Sequence, residues 1–585
     1  MNKLLYISCF LFAFFVALCG CKPEIEIPDI PINPNPLPIQ PEPNDSIINE
    51  TPDSVPGEMP NVPNDGPVEY PFVVTAWVGE WYFWNENDTL FAYIDENGSE
   101  TCISLNVDSI SEDRKTAIFT HVLDFEPTEE TKWNFIVNPQ TEDFSVQSGK
   151  ADDLQKYIGL SASASGKSPN VNMKYSINVL KLILPSGTKE IYSQGGFAST
   201  INLEKESLDN DVVYFAVPET GKSSFSLSLK DALGSVFRNR YISYSNCLAE
   251  NPCGLEISFL KHQNVTAEVL APFKSRLKGN FSGITWIGDN LYAVADDNVQ
   301  TEGWYYFSIF LSDKGDIVDV SQDEFVSSGL DNRDIEGITY NPTTGKMWLV
   351  GENDNVITEH YTDGIRTGNM LDTSMYTVTE ANSGIEALTY NDETGKYWTT
   401  TEVGLEKDGG VAAPNNVYLK KHTLRLQSYL RDGTVDRQWF YETDNLTKNT
   451  IIDAYSFGVP SICALDDGRL LVLEREILIR VQVGEIASSI IKIYLVNPTN
   501  SPEGTVLSKK KIVELENNVV LSVSPTSFKG DFYNFEGMCL GPRQDNGNRI
   551  LIMVSDSQGG LSFIEDDKAY SFPDTFLPII LQYSE

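Results

Sequence analysis

Acidic side chains recur at matching positions in the carboxyl-terminal half of the chain, in a pattern suited to cation binding or proton transfer. Three segments begin with an apolar residue followed by a glutamate: IEGITY at 335–340, IEALTY at 385–390 and FEGMCL at 535–540. In each case a glycine-containing turn and a second apolar run follow, and that run leads to another acid. Carboxylates brought together in this way can bind hard cations such as calcium or act as acids and bases.

The repeat therefore has two acidic positions, one at each end of a predicted hairpin. The first position holds Glu336, Glu386 and Glu536, with Ser282 and Pro460 in the two other copies. Because the start of one strand lies beside the end of the next in a hairpin, each pair should be adjacent. If these hairpins are the inner strands of a closed fold, the pairs converge. The predicted cation ligands are Asp296, Asp297, Glu336, Glu352, Glu386, Glu402, Glu474, Glu536 and Asp556.

A cluster of like charges needs compensation, and the sequence leaves several forms of it open. The carboxylates can share protons, pair with basic residues or bind a cation, and calcium suits an all-oxygen site. Arg333 and Arg475 flank acidic positions and are predicted to pair with them or to contact a substrate. Alternatively, each acid caps backbone N–H groups in a purely structural corner. Glu336, Glu386 and His360 are the candidates for catalysis, although a histidine on a surface loop is the more common case.

Residues 270–585 are predicted to form a β-propeller. Five copies of the strand–turn–strand pattern occur, and repeats of about 50 residues built from short strands are typical of this fold. The length of the region predicts about six blades. Residues 418–442, which read as two strands around an Asp-Gly turn, are the candidate for the hidden blade.

The motifs DIEGITY, GIEALTY and NFEGMCL, together with AVADD, LVGE and LVLERE, resemble the phytase-like family, named for the "esterase-like activity of phytase" domain. The resemblance covers about residues 270–585. It implies a propeller with an acidic face, calcium bound by the acidic residues, and hydrolysis of a phosphate or carboxylate ester. The fourth copy departs from the family pattern because Pro460 replaces the first acid, so a complete acidic ring is not expected.

The amino-terminal segment 1–21 reads as a lipoprotein signal peptide. An apolar stretch ends in Leu18-Cys19-Gly20-Cys21, which resembles a bacterial lipobox and predicts lipidation of Cys21. An ordinary signal peptide is the alternative. Residues 22–66 are rich in proline and are predicted to be an extended tether. We therefore expect an outer-membrane lipoprotein of a Gram-negative envelope, held to the membrane only by its lipid and exposed at the cell surface if the acidic start of the tether acts as an export signal.

Residues 67–265 are predicted to form a β-sandwich region of one or two modules, because polar and apolar residues alternate between turn-forming sequences. The stretch from Ile177 to about Ile242 resembles fimbrillin-like β-sandwich modules. Cys247 and Cys253 lie close enough in sequence to form a disulfide, but a free pair is equally compatible with the spacing. The whole mature chain is thus expected to be all-β.

Charge excludes some functions and leaves two. The chain carries 43 Lys and Arg against 83 Asp and Glu, a net charge of −40, which argues against binding nucleic acid or anionic lipid. The four histidines lack the spacing of a zinc site. The first remaining function is a cation-dependent hydrolase acting on a small phosphate or other ester. The second is a non-catalytic module that binds a surface glycan or protein.

Overall fold

The computed structural model describes residues 69–96, 99–137, 143–196, 198–203, 211–218, 224–243, 255–275, 279, 281–296, 302–330, 333–376, 384–409, 421–447, 454–479, 486–520, 533–556, 562–565, 568–571 and 574–584. The regular secondary structure of the described residues is almost entirely β-strand, as the alternating patterns predicted. No described helix is long and apolar enough to cross a bilayer. Cys21, Cys247, Cys253 and Asp297 lie outside the described residues, so their predicted roles remain predictions.

The region before the propeller contains two β modules. The first is an eight-stranded sheet in the order β7-β1-β4-β3-β2-β5-β6-β8. Its strands are β1 (Tyr70–Trp77), β2 (Thr89–Glu96), β3 (Ser99–Ile110), β4 (Thr116–Leu123), β5 (Lys132–Val137), β6 (Leu160–Ser165), β7 (Asn170–Asn172) and β8 (Lys174–Tyr175). A short 3₁₀ helix at Ala151–Tyr157 precedes β6. Alternate residues such as Phe72, Val74 and Trp133 are buried in one shared core.

The second module is a β-sandwich. One sheet has the order β11-β10-β13-β14 and the other β12-β9-β15, and side chains from both sheets share one core. The strands are β9 (Ile177–Ile183), β10 (Glu190–Gln194), β11 (Ser199–Asn202), β12 (Val212–Pro218), β13 (Ser224–Lys230), β14 (Val236–Ser243) and β15 (Leu255–Ser258). The predicted sandwich is thereby confirmed. The resemblance to fimbrillin-like modules remains a prediction.

The propeller consists, within the described residues, of five blades of four strands. The strands of the first three are β18 (Phe281–Gly288), β19 (Leu291–Asp296), β20 (Gly303–Leu311) and β21 (Ile317–Ser327); β22 (Ile335–Asn341), β23 (Lys346–Gly351), β24 (Val356–His360) and β25 (Arg366–Leu371); and β26 (Ile385–Asn391), β27 (Lys396–Thr401), β28 (Thr423–Leu430) and β29 (Val435–Glu442). The fourth blade is β30 (Ala454–Ala464), β31 (Leu470–Ile479), β32 (Ile486–Val496) and β33 (Lys509–Val520).

The fifth blade joins the two ends of the propeller. It has the order β34 (Phe535–Arg543), β35 (Arg549–Ser555), β38 (Thr575–Ser584) and β16 (Asn264–Val269), with β17 (Phe273–Lys274) also paired to β38. A hairpin of β36 (Ser562–Glu565) and β37 (Lys568–Ser571) lies between β35 and β38. The strand at 264–269 precedes the first blade in sequence yet completes the last, which closes the ring and removes its open edge.

The innermost strand of each blade packs against the innermost strands of its two neighbours, in the order β18, β22, β26, β30, β34 and back to β18. The length of the region predicted about six blades, but the described residues form five. Residues 418–442 are not a separate blade, because β28 and β29 are the outer strands of the third blade, paired to β27.

Candidate functional site

The inner hairpins hold their first acidic residues in β-bulges. The ladder between β22 and β23 shifts register between Ile335 and Gly337, which leaves Glu336 without a cross-strand partner. The same shift occurs at Glu386 in the third blade and at Glu536 in the fifth. A bulge bends the strand and re-aims the side chain of the extra residue. The bulge therefore places the glutamate carboxylate in an equivalent position in each of these three blades.

The glycine that follows the acid allows the inner strands to approach closely. A Cβ atom added at Gly337 would overlap the backbone oxygen of Glu386 in the next blade. One added at Gly537 would overlap the backbone oxygen of Ser282. Any larger residue would push the blades apart at the level of the carboxylates. The Glu-Gly pair in the motif is thus explained by packing as well as by chemistry.

Three carboxylates meet at the start of the second blade, and we call Asp334, Glu336 and Glu352 the blade-2 corner. One oxygen from each lies within 4.8 Å of the others. The backbone N–H of Glu352 donates to the carbonyl of Asp334 at 2.8 Å, which fixes the two strand ends together. Asp334 has φ of +57°, a conformation that Asp and Asn adopt more readily than most residues.

The neighbouring blade helps to hold this corner. The backbone N–H of Gly384 donates to a carboxylate oxygen of Glu352 at 3.2 Å. On the other side, the carboxylate of Glu302 accepts the backbone N–H of Asp334 at 3.0 Å. The blade-2 corner is therefore positioned by backbone contacts from the elements on both sides of it.

Burial and mutual repulsion raise the pKa values at this corner. The pKa of Glu336 is raised well above its usual range, first by burial and then by the charges of Glu536, Asp334 and Glu352. Burial also raises the pKa of Glu352 to about 7, against the N–H donor of Gly384. The pKa of Glu386 is raised by burial and by Glu402, although Arg475 opposes the shift. Burial and like charge therefore favour the protonated forms of these groups, and added positive charge would oppose that preference.

Arg475 is the internal counter-charge on the opposite side of the ring. Its guanidinium donates to Glu402 at 2.6 Å and also forms an ion pair with Glu536. The side chain is 6% exposed, so these pairs are shielded from water. Arg475 had been predicted to pair with the acids or to contact a substrate, and the structure places it between two of them.

The fourth blade carries this arginine where the other blades carry an acid. In β31, Leu473 pairs with Ser461, so Arg475 occupies the position that Glu352 holds in the second blade. Glu474, which the sequence pattern placed there, points elsewhere. Its carboxylate binds Lys509 at 2.6 Å and accepts the hydroxyl of Tyr441 at 2.5 Å.

The fifth blade has an equivalent corner in which the amide of Asn534 takes the place of the Asp334 carboxylate. We call Asn534, Glu536 and Asp556 the blade-5 corner. The side-chain amide of Asn534 donates to Glu536 at 2.8 Å and to Asp556 at 3.4 Å. The guanidinium of Arg475 donates to the amide oxygen of Asn534 at 3.1 Å. Burial raises the pKa of Glu536, while Arg475 and Asn534 act to lower it.

Two predicted site residues form contacts within the second blade. The guanidinium of Arg333 donates to Asp354 at 2.7 Å and to the hydroxyl of Thr358 at 2.9 Å. His360 is fully buried, and its ring bonds the hydroxyl of Thr358 at 2.9 Å and the carbonyl of Gly364 at 2.9 Å. Burial lowers the pKa of His360. The predicted surface-loop alternative for this histidine does not hold, because the ring is part of the blade interior.

One residue of the site was missing from the sequence-based set. Asp334 was not predicted as a ligand because it precedes the strand and has no acidic counterpart in the other described copies. The sequence feature that indicates Asp334 as a ligand is the spacing in Asp334-Ile335-Glu336, where one residue separates two acids. Of the first-blade candidates, Asp296 ends β19, but the structure describes only its backbone.

Comparison with known proteins supports the family resemblance. Residues 276–558 match the model of the phytase-like family, described as "esterase-like activity of phytase". The matched range includes the inner hairpins of all five blades, and it confirms the family that the repeated motifs predicted. No curated protein matches the chain.

Several solved structures share a low level of similarity with the chain. A streptogramin B lyase is 11% identical, covers 55% of this chain and 98% of its own, and has a TM-score of 0.23. A member of the DUF4221 family from Bacteroides vulgatus is 8% identical over 56% of this chain and 100% of its own, with a TM-score of 0.26. An α-L-arabinofuranosidase from Podospora anserina is 10% identical over 55% and 98%, with a TM-score of 0.27.

Proposed function

From the phytase-like family of residues 276–558, we propose that the propeller is a cation-dependent hydrolase of phosphate or other esters, with the blade-2 corner as its cation site. The observation that carries the proposal is the approach of three carboxylates to within 4.8 Å of one another. Deprotonating all three without a cation would place three negative charges close together in a partly buried site, which is unfavourable. A divalent cation offsets that cost.

The donor set fits calcium best. All three side chains offer carboxylate oxygens, which hard cations prefer, whereas zinc and copper sites use imidazole or thiolate ligands. Calcium takes six to eight oxygen ligands, and waters or substrate oxygens would complete the shell. The same corner could hold magnesium or manganese, and the choice among the three is a matter for titration.

A bound cation would supply positive charge to an anionic substrate and polarise the ester oxygen. The residues of the chain supply the proton chemistry. Glu386 is buried beside Glu402, and its raised pKa favours the protonated form, so we assign it the role of giving a proton to a leaving group. Arg475 holds Glu402 and Glu536 in place through its two ion pairs. In this scheme His360 has no role in proton transfer, because it is buried within the blade.

The proposal includes an envelope location. The lipobox-like sequence ending at Cys21 supports a lipoprotein attached to the outer membrane. Replacing Cys21 by serine should release the protein from the membrane fraction. Continued membrane association of the Cys21→Ser variant would contradict the lipid anchor.

The activity is tested with p-nitrophenyl phosphate and p-nitrophenyl acetate. We expect the full-length protein to hydrolyse at least one of them with calcium present and to lose that activity in EDTA. A Glu336→Gln variant should lose activity in calcium, while Glu324→Gln, an exposed acid on the outer strand of the first blade, should keep it. Calcium binding without hydrolysis of either ester would favour the non-catalytic binding module instead.

A further inference from the structure

A cavity lies at the end of the inner strands that is opposite to the acidic corners, and it belongs to no site described above. It measures about 260 Å³. Three aromatic side chains line it, Trp286, Tyr340 and Tyr390, and each is half-buried. They come from the same repeat position in the first three blades. We call this space the far cavity.

The far cavity is separate from the acidic corners. Each of its aromatic residues follows the first acidic position of its blade by four residues, as in Glu336 and Tyr340. At about 3.3 Å per strand residue, that spacing corresponds to roughly 13 Å. A ligand in the far cavity would therefore not contact a cation at the blade-2 corner.

The charged groups that line the far cavity already have charged or polar partners. Arg549 donates to Asp466 at 3.0 Å and lies 5.8 Å from the centre of the Trp286 ring. Asp392 accepts the hydroxyl of Tyr390 at 3.1 Å, and Asn391 donates to Asp466 at 3.0 Å. The side chains are thus held in place, and because each charged group already has a partner, a neutral ligand is favoured over an ionic one.

The sandwich module fixes one wall of the far cavity. Glu393 lines the cavity and is held by side chains of β10, β13 and β14. Its carboxylate accepts the hydroxyl of Tyr192 at 3.3 Å and lies 3.4 Å from the donors Ser228 and Asn239. This anchoring means that the cavity is formed before a ligand arrives, which lowers the entropic cost of binding.

We propose that the far cavity binds a single neutral sugar ring. Aromatic faces pack against the apolar C–H face of a pyranose, while Asp392 and the tyrosine hydroxyls bond its ring hydroxyls. The volume is near the lower end of small-molecule sites, which suits one ring and excludes a long oligosaccharide. This inference stands apart from the proposed ester hydrolysis, since it uses neither the acidic corners nor a cation.

Calorimetric titration of the full-length protein with D-glucose, D-galactose and D-mannose tests the inference. We expect at least one sugar to bind with a stoichiometry near one, in calcium and in EDTA alike. Tyr340→Leu and Trp286→Ala should each weaken binding at least tenfold. Tyr361→Ala, which removes an exposed tyrosine outside the cavity, should leave binding unchanged.

Melting curves of the variants show whether the fold is retained, so a loss of binding can be attributed to the cavity. Tyr340→Leu keeps a branched apolar side chain that fills part of the space of the ring, which makes it the variant less prone to misfolding. The inference is overturned if none of the three sugars binds, or if Tyr340→Leu and Trp286→Ala bind as tightly as the unaltered protein. Binding that disappears in EDTA would also overturn it, because it would place the sugar at the cation site.

Discussion

The second and fifth blades present equivalent corners that balance their charge in different ways. At the blade-2 corner, three carboxylates approach one another. At the blade-5 corner, an amide replaces the first carboxylate and donates to the other two acids, and Arg475 adds a guanidinium. The backbone bulge is the same in both. The two corners therefore differ in the residue before the bulge, Asp334 in the second blade and Asn534 in the fifth. With asparagine, the acids are balanced by groups of the chain itself, whereas with aspartate we propose that a cation balances them.

Because of this difference, charge is distributed unevenly among the blades. A single arginine in the fourth blade serves the acids of the third and fifth blades, and it is directed at Glu402 and Glu536. The carboxylates that interact most strongly with Arg475 are those of Glu536, Glu402 and Glu386, in the third and fifth blades. The negative charge that remains is concentrated on the side where we propose that the cation binds.

The largest expected effect comes from removing the internal counter-charge. Arg475→Met leaves Glu402 and Glu536 buried without their ion pairs, and losing one partner of a buried pair costs about 3–5 kcal/mol. Urea unfolding measures this loss. Arg431→Met, which removes an arginine that is 45% exposed, serves as the matched control and should cost less than about 1 kcal/mol. Equal losses in the two variants would contradict the role given to Arg475.

A pH effect of intermediate size should appear when cations are removed. The folded-state pKa of Glu352 is raised to about 7, so the folded protein binds its proton more tightly than the unfolded chain does. In EDTA, the stabilising contribution of this group should be fully present below its ordinary pKa of 4.5 and be lost as pH rises through 7, by up to about 3 kcal/mol.

Melting in EDTA between pH 5 and pH 8 checks the direction of that change. The Glu352→Gln variant should show a flatter dependence, because its side chain does not ionise. Added calcium should reduce the fall in the unaltered protein at high pH. A melting temperature in EDTA that rises steadily from pH 5 to pH 8 would contradict the raised pKa.

A smaller effect is expected from exchanging the corners. Asp334→Asn gives the second blade the amide of the fifth, and asparagine tolerates the positive φ at this position. We expect it to gain about 1 kcal/mol of stability in EDTA, by analogy with a new hydrogen bond to a charged group. Its calcium affinity should fall at least tenfold. Asn534→Asp is the reciprocal variant and should lose stability in EDTA.

The smallest effect on cation binding is expected at Glu474. Since its carboxylate binds Lys509 and Tyr441, Glu474→Gln should cost about 1–2 kcal/mol of stability and leave calcium affinity unchanged. Calorimetric titration with calcium measures the affinity. A large loss of calcium affinity in this variant would show that Glu474 is a cation ligand, as the sequence predicted.

Much of the site was visible in the sequence, because the acids recur at fixed distances from apolar strands. The pairing of Glu336 with Glu352 followed from hairpin geometry alone. The fourth blade was misaligned by one residue, since the register shift between Gly458 and Ser461 cannot be read from the order of apolar residues. That shift is why Arg475, and not Glu474, faces the acids.

The blade count shows a different limit. The outer strands of the third blade lie far along the chain from its inner hairpin, so length and spacing suggested a separate blade at 418–442. Cross-strand pairing of β28 with β27 is a long-range contact that the sequence pattern does not encode. Calcium, catalysis and lipidation remain predictions, because they depend on groups that the chain alone does not supply.

The most direct test of the cation site is the melting temperature of the full-length protein in EDTA and in calcium, compared with the Asp334→Asn variant. Binding to the folded state raises stability by RT ln(1 + [L]/Kd), so calcium should raise the melting temperature of the unaltered protein. The account predicts that most of this rise is lost in Asp334→Asn. No rise in the unaltered protein, or the same rise in both, would contradict a cation site at the blade-2 corner.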